Sequence, residues 1–230
     1  MARRASESHY ELLSSRTSIA YSAMPGISVF ELHLRLRPSF RSAIDPLGDD
    51  VDLATDSERE LERFYAGVNK VQPSLIRIRA DEVTYGLHVI MRFELEQDLV
   101  NGRLSPRDVP EAWNQKMWDY LGIEVPDDGQ GVLQDMHWSA GLIGYFSTYL
   151  LGTVMSVQIW EAAAAEIGDL DDRLEHGEFG PLRDWLGEHL HALGRKFPPQ
   201  ETLRRATGST IDTRPYLEYL RRKYEAPVAA

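Results

Sequence analysis

The chain has 230 residues, 36 Asp and Glu against 25 Lys and Arg, a formal net charge of −11 and no cysteine. With that acidic balance and no Lys/Arg stripe, a nucleic-acid binder is excluded, because neutralising phosphates requires clustered cations. The absence of cysteine excludes disulfides, a thiolate nucleophile and Cys-ligated zinc, and it suits the cytoplasm.

Hydrophobic residues make up 43% of the chain and charged ones 27%, ordinary values for a protein that buries a core. Residues 1–56 form a poorly specified N-terminal segment. They run from Ser-rich sequence through an alternation of Leu32, Leu34 and Leu36 with His33, Arg35 and Arg37, to the acidic stretch DPLGDDVDLATDSE. MARRASES starts basic, but the apolar stretch of a secretion signal does not follow.

From Ser57 the pattern becomes helical, and residues 57–230 are expected to be one mainly α domain. Ser57 and Glu60 can form a capping box, and Leu61, Phe64, Tyr65 and Val68 share a face before Pro73 stops the helix. In LIRIRAD, 75–81, Leu75, Arg77 and Arg79 alternate with Ile76 and Ile78, which predicts a short extended piece. Asp81 is the expected N-cap of a helix whose buried stripe is Val83, Leu87, Ile90, Met91 and Leu95, ending at Asn101-Gly102. Another helix is expected over Pro110–Leu121, and a further one from Ile143 to Ile167. Met136 to Trp160 carries no acidic or basic side chain, but its His137, Ser139, Ser147, Thr148, Thr153, Ser156 and Gln158 argue for a buried helix and against a membrane span. GPLRDWLGEHLHALGRKF and RPYLEYLRRKYEA supply two amphipathic helices.

Candidate chemistry gathers in GVLQDMHWSAGLIGYFSTY, 131–149. Gly141 and Gly144 disfavour an unbroken helix from His137, so this histidine belongs on a turn feeding the helix that carries the tyrosines. Tyr145 and Tyr149, four apart, share a face. Such donors suit a carbonyl oxygen, an oxyanion or a carboxylate; alternatively the rings fill a core and Asp135 or a backbone group satisfies His137. The Arg77 guanidinium can clamp a carboxylate bidentately or pair with Asp81 or Glu82.

Several segments carry a resemblance: FYAGVNKVQPSLIRIRADEVTYGLHVIMRFELE (64–96), PEAWNQKMWDYLGI (110–123), GVLQDMHW with GYFSTY, and TLRRATG with YLRRKY. Over about 57–225, fading back towards Phe30, the chain resembles the C-terminal part of the carboxypeptidase Taq family of zinc metallocarboxypeptidases. Its most specific motifs are IRxxAD (Ile76, Arg77, Ala80, Asp81) and GxxQDxHW (Gly131, Gln134, Asp135, His137, Trp138). The resemblance implies a helical zincin-like fold, commonly homodimeric, in which an HExxH helix and a later glutamate hold zinc and activate water to release a peptide's C-terminal residue. It implies that Arg77 helps bind the peptide's terminal carboxylate, with Asp135 orienting the motif and Tyr149 nearby. His137 and Tyr145 would donate to the carbonyl or oxyanion.

The sequence departs from that family in one decisive respect: it contains no HExxH. The only close histidine pair, His189 and His191 in EHLH, would point to opposite sides of a helix and reads as solvated surface. The family's DxRxT motif is absent, and SESHYEL, with Glu7, is at most an echo of the segment supplying the third ligand. Ser147 replaces a frequent proline, and Arg79 stands where an acidic residue is common. The expectation is therefore no metal site and no cofactor in this chain, with zinc belonging to the full-length family, and no appreciable peptidase activity by the chain alone. The expected partners are a peptide C-terminus and either a second copy or a separately encoded N-terminal half bearing HExxH. A non-enzymatic module that binds peptide C-termini is the alternative. No nucleic acid and no membrane are expected.

Overall fold

The computed structural model describes residue 67 and residues 69–225. Residues 1–56, with the Leu32–Leu36 alternation and Glu7, lie outside the described residues, as does nearly all of the helix expected between Ser57 and Pro73. The described part is mainly α, as expected, with no strand among the described residues. It divides into two compact units that meet in sequence at Leu151 and Gly152.

In the first unit, α1 spans Glu82–Val100. Asp81 caps it as the sequence predicts: its carboxylate accepts the Val83 and Thr84 backbone N–H groups, both at 2.9 Å, and the Thr84 hydroxyl at 2.7 Å. Helix α2, Val109–Leu121, follows a 3-10 turn at Pro106–Asp108 and ends on Gly122 at φ 66°, a left-handed stop that glycine adopts without strain. Residues one turn apart on each helix form the core: Met91 and Leu95 of α1 meet Trp113, Met117 and Leu121 of α2. Burying each of these contributes roughly 1.5–3 kcal/mol.

Two local expectations are corrected here. Arg77–Arg79 is one 3-10 turn and not an extended piece, because the Arg77 N–H is taken by the Gln134 side chain at 2.9 Å and the Arg79 N–H by the Ile76 carbonyl. The buried face of α1 is also far more polar than an apolar stripe: Thr84, His88, Arg92 and Glu96 are buried beside Val89, Met91 and Leu95, whereas Val83, Leu87 and Ile90 are only half-buried.

The long uncharged segment forms α3, Ser147–Ile167, which starts four residues later than predicted. Gly144 holds φ 81° just before it, so the chain is still turning there. From Gly152 onward α3 belongs to the second unit, with α4 (Leu170–Glu175), α5 (Gly180–Leu186), α6 (Pro199–Thr207) and α7 (Arg214–Tyr224). Ile159 and the small Ala163 pack against Trp185 and Leu203. The buried Gln158 amide donates to Ser209 Oγ at 3.1 Å and the Thr210 carbonyl at 3.0 Å, and its oxygen accepts the Asp212 N–H at 3.0 Å. These bonds explain how a polar side chain resides in the apolar run. No helix of the described residues is long and apolar enough to cross a membrane.

The predicted amphipathic segment 180–197 is not one helix. Helix α5 passes into a π turn, Gly187–His191, that carries both histidines of EHLH. His191 is exposed as expected, but His189 is not a freely solvated side chain: it stacks on Trp185 with ring centroids 4.4 Å apart.

Candidate functional site

The candidate residues of the first unit converge on Asp135. The 3-10 turn Val132–Gln134 brings Gln134 against the 75–77 segment, where its amide donates to the Leu75 carbonyl at 3.1 Å while accepting the Arg77 N–H. That tie sets the Arg77 guanidinium beside the next residue in the motif. Arg77 Nε and Nη2 donate to Asp135 Oδ1 at 3.1 and 2.7 Å, and Arg92 Nε donates to Oδ2 at 2.6 Å. Arg77 therefore pairs with Asp135, across 58 residues of sequence, and not with Asp81 or Glu82. Asp81 is already used as the α1 cap.

The ion-pair centre is almost closed to water. Arg92 is fully buried, Arg77 is 6% exposed, and the Asp135 side chain is 9% exposed. Burial would raise the Asp135 pKa, but the hydrogen bonds and charges of the two guanidiniums outweigh it and hold the carboxyl below its usual range. Burial pushes Arg92 down to about 10 despite Asp135. Arg92 also donates through Nη1 to the His88 carbonyl at 2.8 Å, and its guanidinium carbon lies 4.3 Å from the Trp113 ring centroid. Burial, then the neighbouring Arg92 charge, drive the His88 pKa down to about 4, so this imidazole is neutral at physiological pH. Among the described residues, Arg77 Nη1 makes one long hydrogen bond, 3.5 Å to the Tyr85 hydroxyl.

The aromatic half of the site sits on the turns before α3. His137 occupies a turn, as predicted, while Tyr145 lies two residues ahead of α3 and Tyr149 in its first turn. His137 Nε2 and the Tyr149 hydroxyl are 2.9 Å apart. The Tyr145 and Tyr149 rings meet edge to face at 5.4 Å, and Phe146 lies 4.4 Å from the imidazole centroid. His137 Nδ1 is buried without a hydrogen-bond partner, 3.8 Å from Asp135 Oδ1. Burial holds the His137 pKa below the usual histidine value, although Asp135 acts to raise it. Tyr145, at 44% exposure, is the most accessible of these side chains. The Arg77 guanidinium carbon lies 5.1 Å from the Tyr149 ring centroid, which joins the ionic and aromatic halves.

All five predicted site residues, Arg77, Asp135, His137, Tyr145 and Tyr149, are thus brought together. Tyr85, His88, Arg92, Glu96 and Phe146 were missed. A signal for three of them was present: His88, Arg92 and Glu96 recur every fourth residue beside the apolar stripe of one helix, the spacing of a single buried face. The donor set does not fit a divalent cation. Both oxygens of Asp135 are taken by guanidiniums, whose charges would repel a metal ion, and among the described residues no three His, Asp or Glu side chains are placed to hold one.

Residues 28–224 match the family model described as carboxypeptidase Taq (M32) metallopeptidase. Thermostable carboxypeptidase 1 of Thermus thermophilus is 46% identical over 192 residues, which are 84% of this chain and 36% of that protein. Carboxypeptidase 1 of Bacillus subtilis is 40% identical over 164 residues, 71% of this chain and 33% of that one. Among solved structures, the M32 carboxypeptidase of Deinococcus radiodurans R1 superposes with a TM-score of 0.74 at 39% identity, over 83% of this chain and 38% of that chain. Metallocarboxypeptidase 1 of Trypanosoma cruzi gives 0.75 at 35% identity, over 84% and 39%. The chain spans about a third of the length of the curated relatives it matches.

Proposed function

Because the chain belongs to the carboxypeptidase Taq (M32) metallopeptidase family, we propose that these residues form the wall that grips the substrate's C-terminus in a metallocarboxypeptidase, an enzyme releasing C-terminal amino acids from peptides. The observation that carries this reading is the uneven charge of the buried centre. Two guanidiniums, Arg77 and Arg92, share one carboxylate, Asp135, so this trio carries one excess positive charge that a terminal carboxylate complements, while the other buried carboxylate, Glu96, is turned to the Trp138 and Gly144 N–H groups. Asp135 fixes the plane of Arg77 by holding its Nε and Nη2, and Nη1 is the N–H edge assigned to the peptide's carboxylate. Tyr145 and Tyr149, the latter paired with His137 Nε2, are assigned to the carbonyl oxygen of the scissile peptide, where hydroxyl groups stabilise developing negative charge.

No catalytic step is routed through a metal held by the residues described here, since they do not suit one. In this reading the metal and its general base come from an HExxH-bearing polypeptide, and the 230-residue chain alone binds peptide C-termini without cleaving them. Calorimetric titration with a peptide and its C-terminal amide tests the grip. The free acid should bind roughly tenfold tighter or better, the worth of a charge-assisted hydrogen bond, and equal affinities would refute it. Release of C-terminal amino acids by the purified chain alone would overturn the division of labour, whereas hydrolysis restored on adding an HExxH-bearing partner supports it.

A further inference from the structure

The loop that carries the aromatic half of the site is tied down by a residue outside both family motifs. Glu96, on α1, is 3% exposed. Its Oε2 accepts the Trp138 indole N–H at 3.0 Å, and its Oε1 accepts the Gly144 backbone N–H in a short bond. Between these two points the loop is closed mainly on itself: Ala140 N–H donates to the Met136 carbonyl at 2.9 Å, Gly141 N–H to Trp138 at 3.0 Å, and Leu142 N–H to His137 at 2.8 Å. Such internal bonds fix the shape of a loop but not its height above the helix beneath. The Glu96 bonds fix the height.

Each tie is one residue from a site side chain. Trp138 follows His137, and Gly144 precedes Tyr145. Trp138 is braced further by an edge-to-face contact with Trp113 at 6.3 Å and another with Phe146 at 5.8 Å. The choice of a carboxylate also has a chemical reason: the two N–H donors reach different oxygens of the side chain, and an amide in the same place would turn its NH2 group towards one of them. Gly144 suits the second tie because its φ of 81° turns the backbone back at that point, a conformation that a side chain would strain.

We propose that Glu96 is a positioning residue, which clamps both ends of the loop 138–144 and thereby sets where His137 and Tyr145 stand. This deepens the peptide-wall reading and rests on it for its functional meaning. The loop geometry itself can be tested without any peptide.

The variant is Glu96→Gln, which keeps the side-chain length but has one acceptor oxygen, so either Trp138 Nε1 or the Gly144 N–H must confront an amide NH2 group. At a temperature where wild type and variant are both fully folded by circular dichroism, whichever of the Gly144 amide and the Trp138 indole N–H faces the NH2 group should exchange with solvent roughly tenfold faster, the factor expected for losing one charge-assisted hydrogen bond. The His137 ring resonances should shift, and the rate of Tyr145 nitration, read by mass spectrometry, should change with them. Trp138→Phe removes one of the two donors. In that background Glu96→Gln can give its oxygen to Gly144, and the His137 and Tyr145 signals should match those of Trp138→Phe alone. A variant that melts earlier but keeps the wild-type His137 resonances and Tyr145 nitration rate would overturn the proposal. Unchanged affinity of Glu96→Gln for the free-acid peptide, when wild type shows the free-acid preference, would also overturn it. If wild type shows no such preference the peptide reading fails, and the resonance and nitration measurements still decide the role of Glu96.

Discussion

Replacing Asp135 by asparagine removes the charge that two buried guanidiniums share while barely changing side-chain size. The wild-type carboxylate accepts three N–H bonds, at 3.1 and 2.7 Å from Arg77 and 2.6 Å from Arg92. An asparagine oxygen can serve one guanidinium, and its NH2 group then faces the other. Leaving a buried charge uncompensated costs about 3–5 kcal/mol, a large share of the roughly 5–15 kcal/mol that holds a domain together. With a urea m-value of about 2 kcal/mol/M, the unfolding midpoint of the first unit should fall by about 1.5–2.5 M. Tryptophan fluorescence reports it, because Trp113 and Trp138 both lie in that unit. Acid titration supplies a second signature. A carboxyl whose folded pKa is depressed contributes stability above its unfolded value of 3.8 and loses it as pH falls through the lower folded value. The Asp135 share of the acid limb should be lost in Asp135→Asn, leaving a shallower limb from other depressed carboxyls such as Glu94 and Glu201. A midpoint shift below about 0.5 M, or an unchanged acid limb, would show that the shared carboxylate does not hold the site together.

Three further outcomes follow from the same geometry. His88 has a folded pKa of about 4 against 6.5 unfolded, so the unfolded chain takes up a proton first as pH falls; stability should drop by about 3 kcal/mol between pH 6.5 and 4, and His88→Gln should flatten that limb in urea titrations. Gly131→Ala would place a Cβ 2.8 Å from Val125 Cγ1 and 3.1 Å from the Asp127 carbonyl oxygen, and should cost about 1–3 kcal/mol in the same assay; a neutral result would mean the turn before Gln134 relaxes freely. Tyr149→Phe deletes the hydroxyl paired with His137 Nε2 and should cost about 1 kcal/mol while shifting the His137 ring resonances; unchanged resonances would show that the pair is not formed in solution.

What the sequence determined by itself is the local part of this protein. Asp81 as a cap, a helix ending at Leu121, and the i, i+4 pair Met91/Leu95 are legible because capping and helical periodicity act over a few residues. The two motifs contain Arg77, Asp135 and His137, and GYFSTY contains Tyr145 and Tyr149, so the family pattern points to these five positions directly. Tertiary structure decided the partners. Arg77 meets a carboxylate 58 residues away in place of those four and five positions ahead of it, because Gln134 docks the 75–77 segment before the guanidinium selects a partner. Arg92 and Glu96 have the spacing of a buried face, but their charge argues for solvent; the Asp135 carboxylate and the loop donors at Trp138 and Gly144, arriving from distant sequence, provide hydrogen bonds that let them be buried.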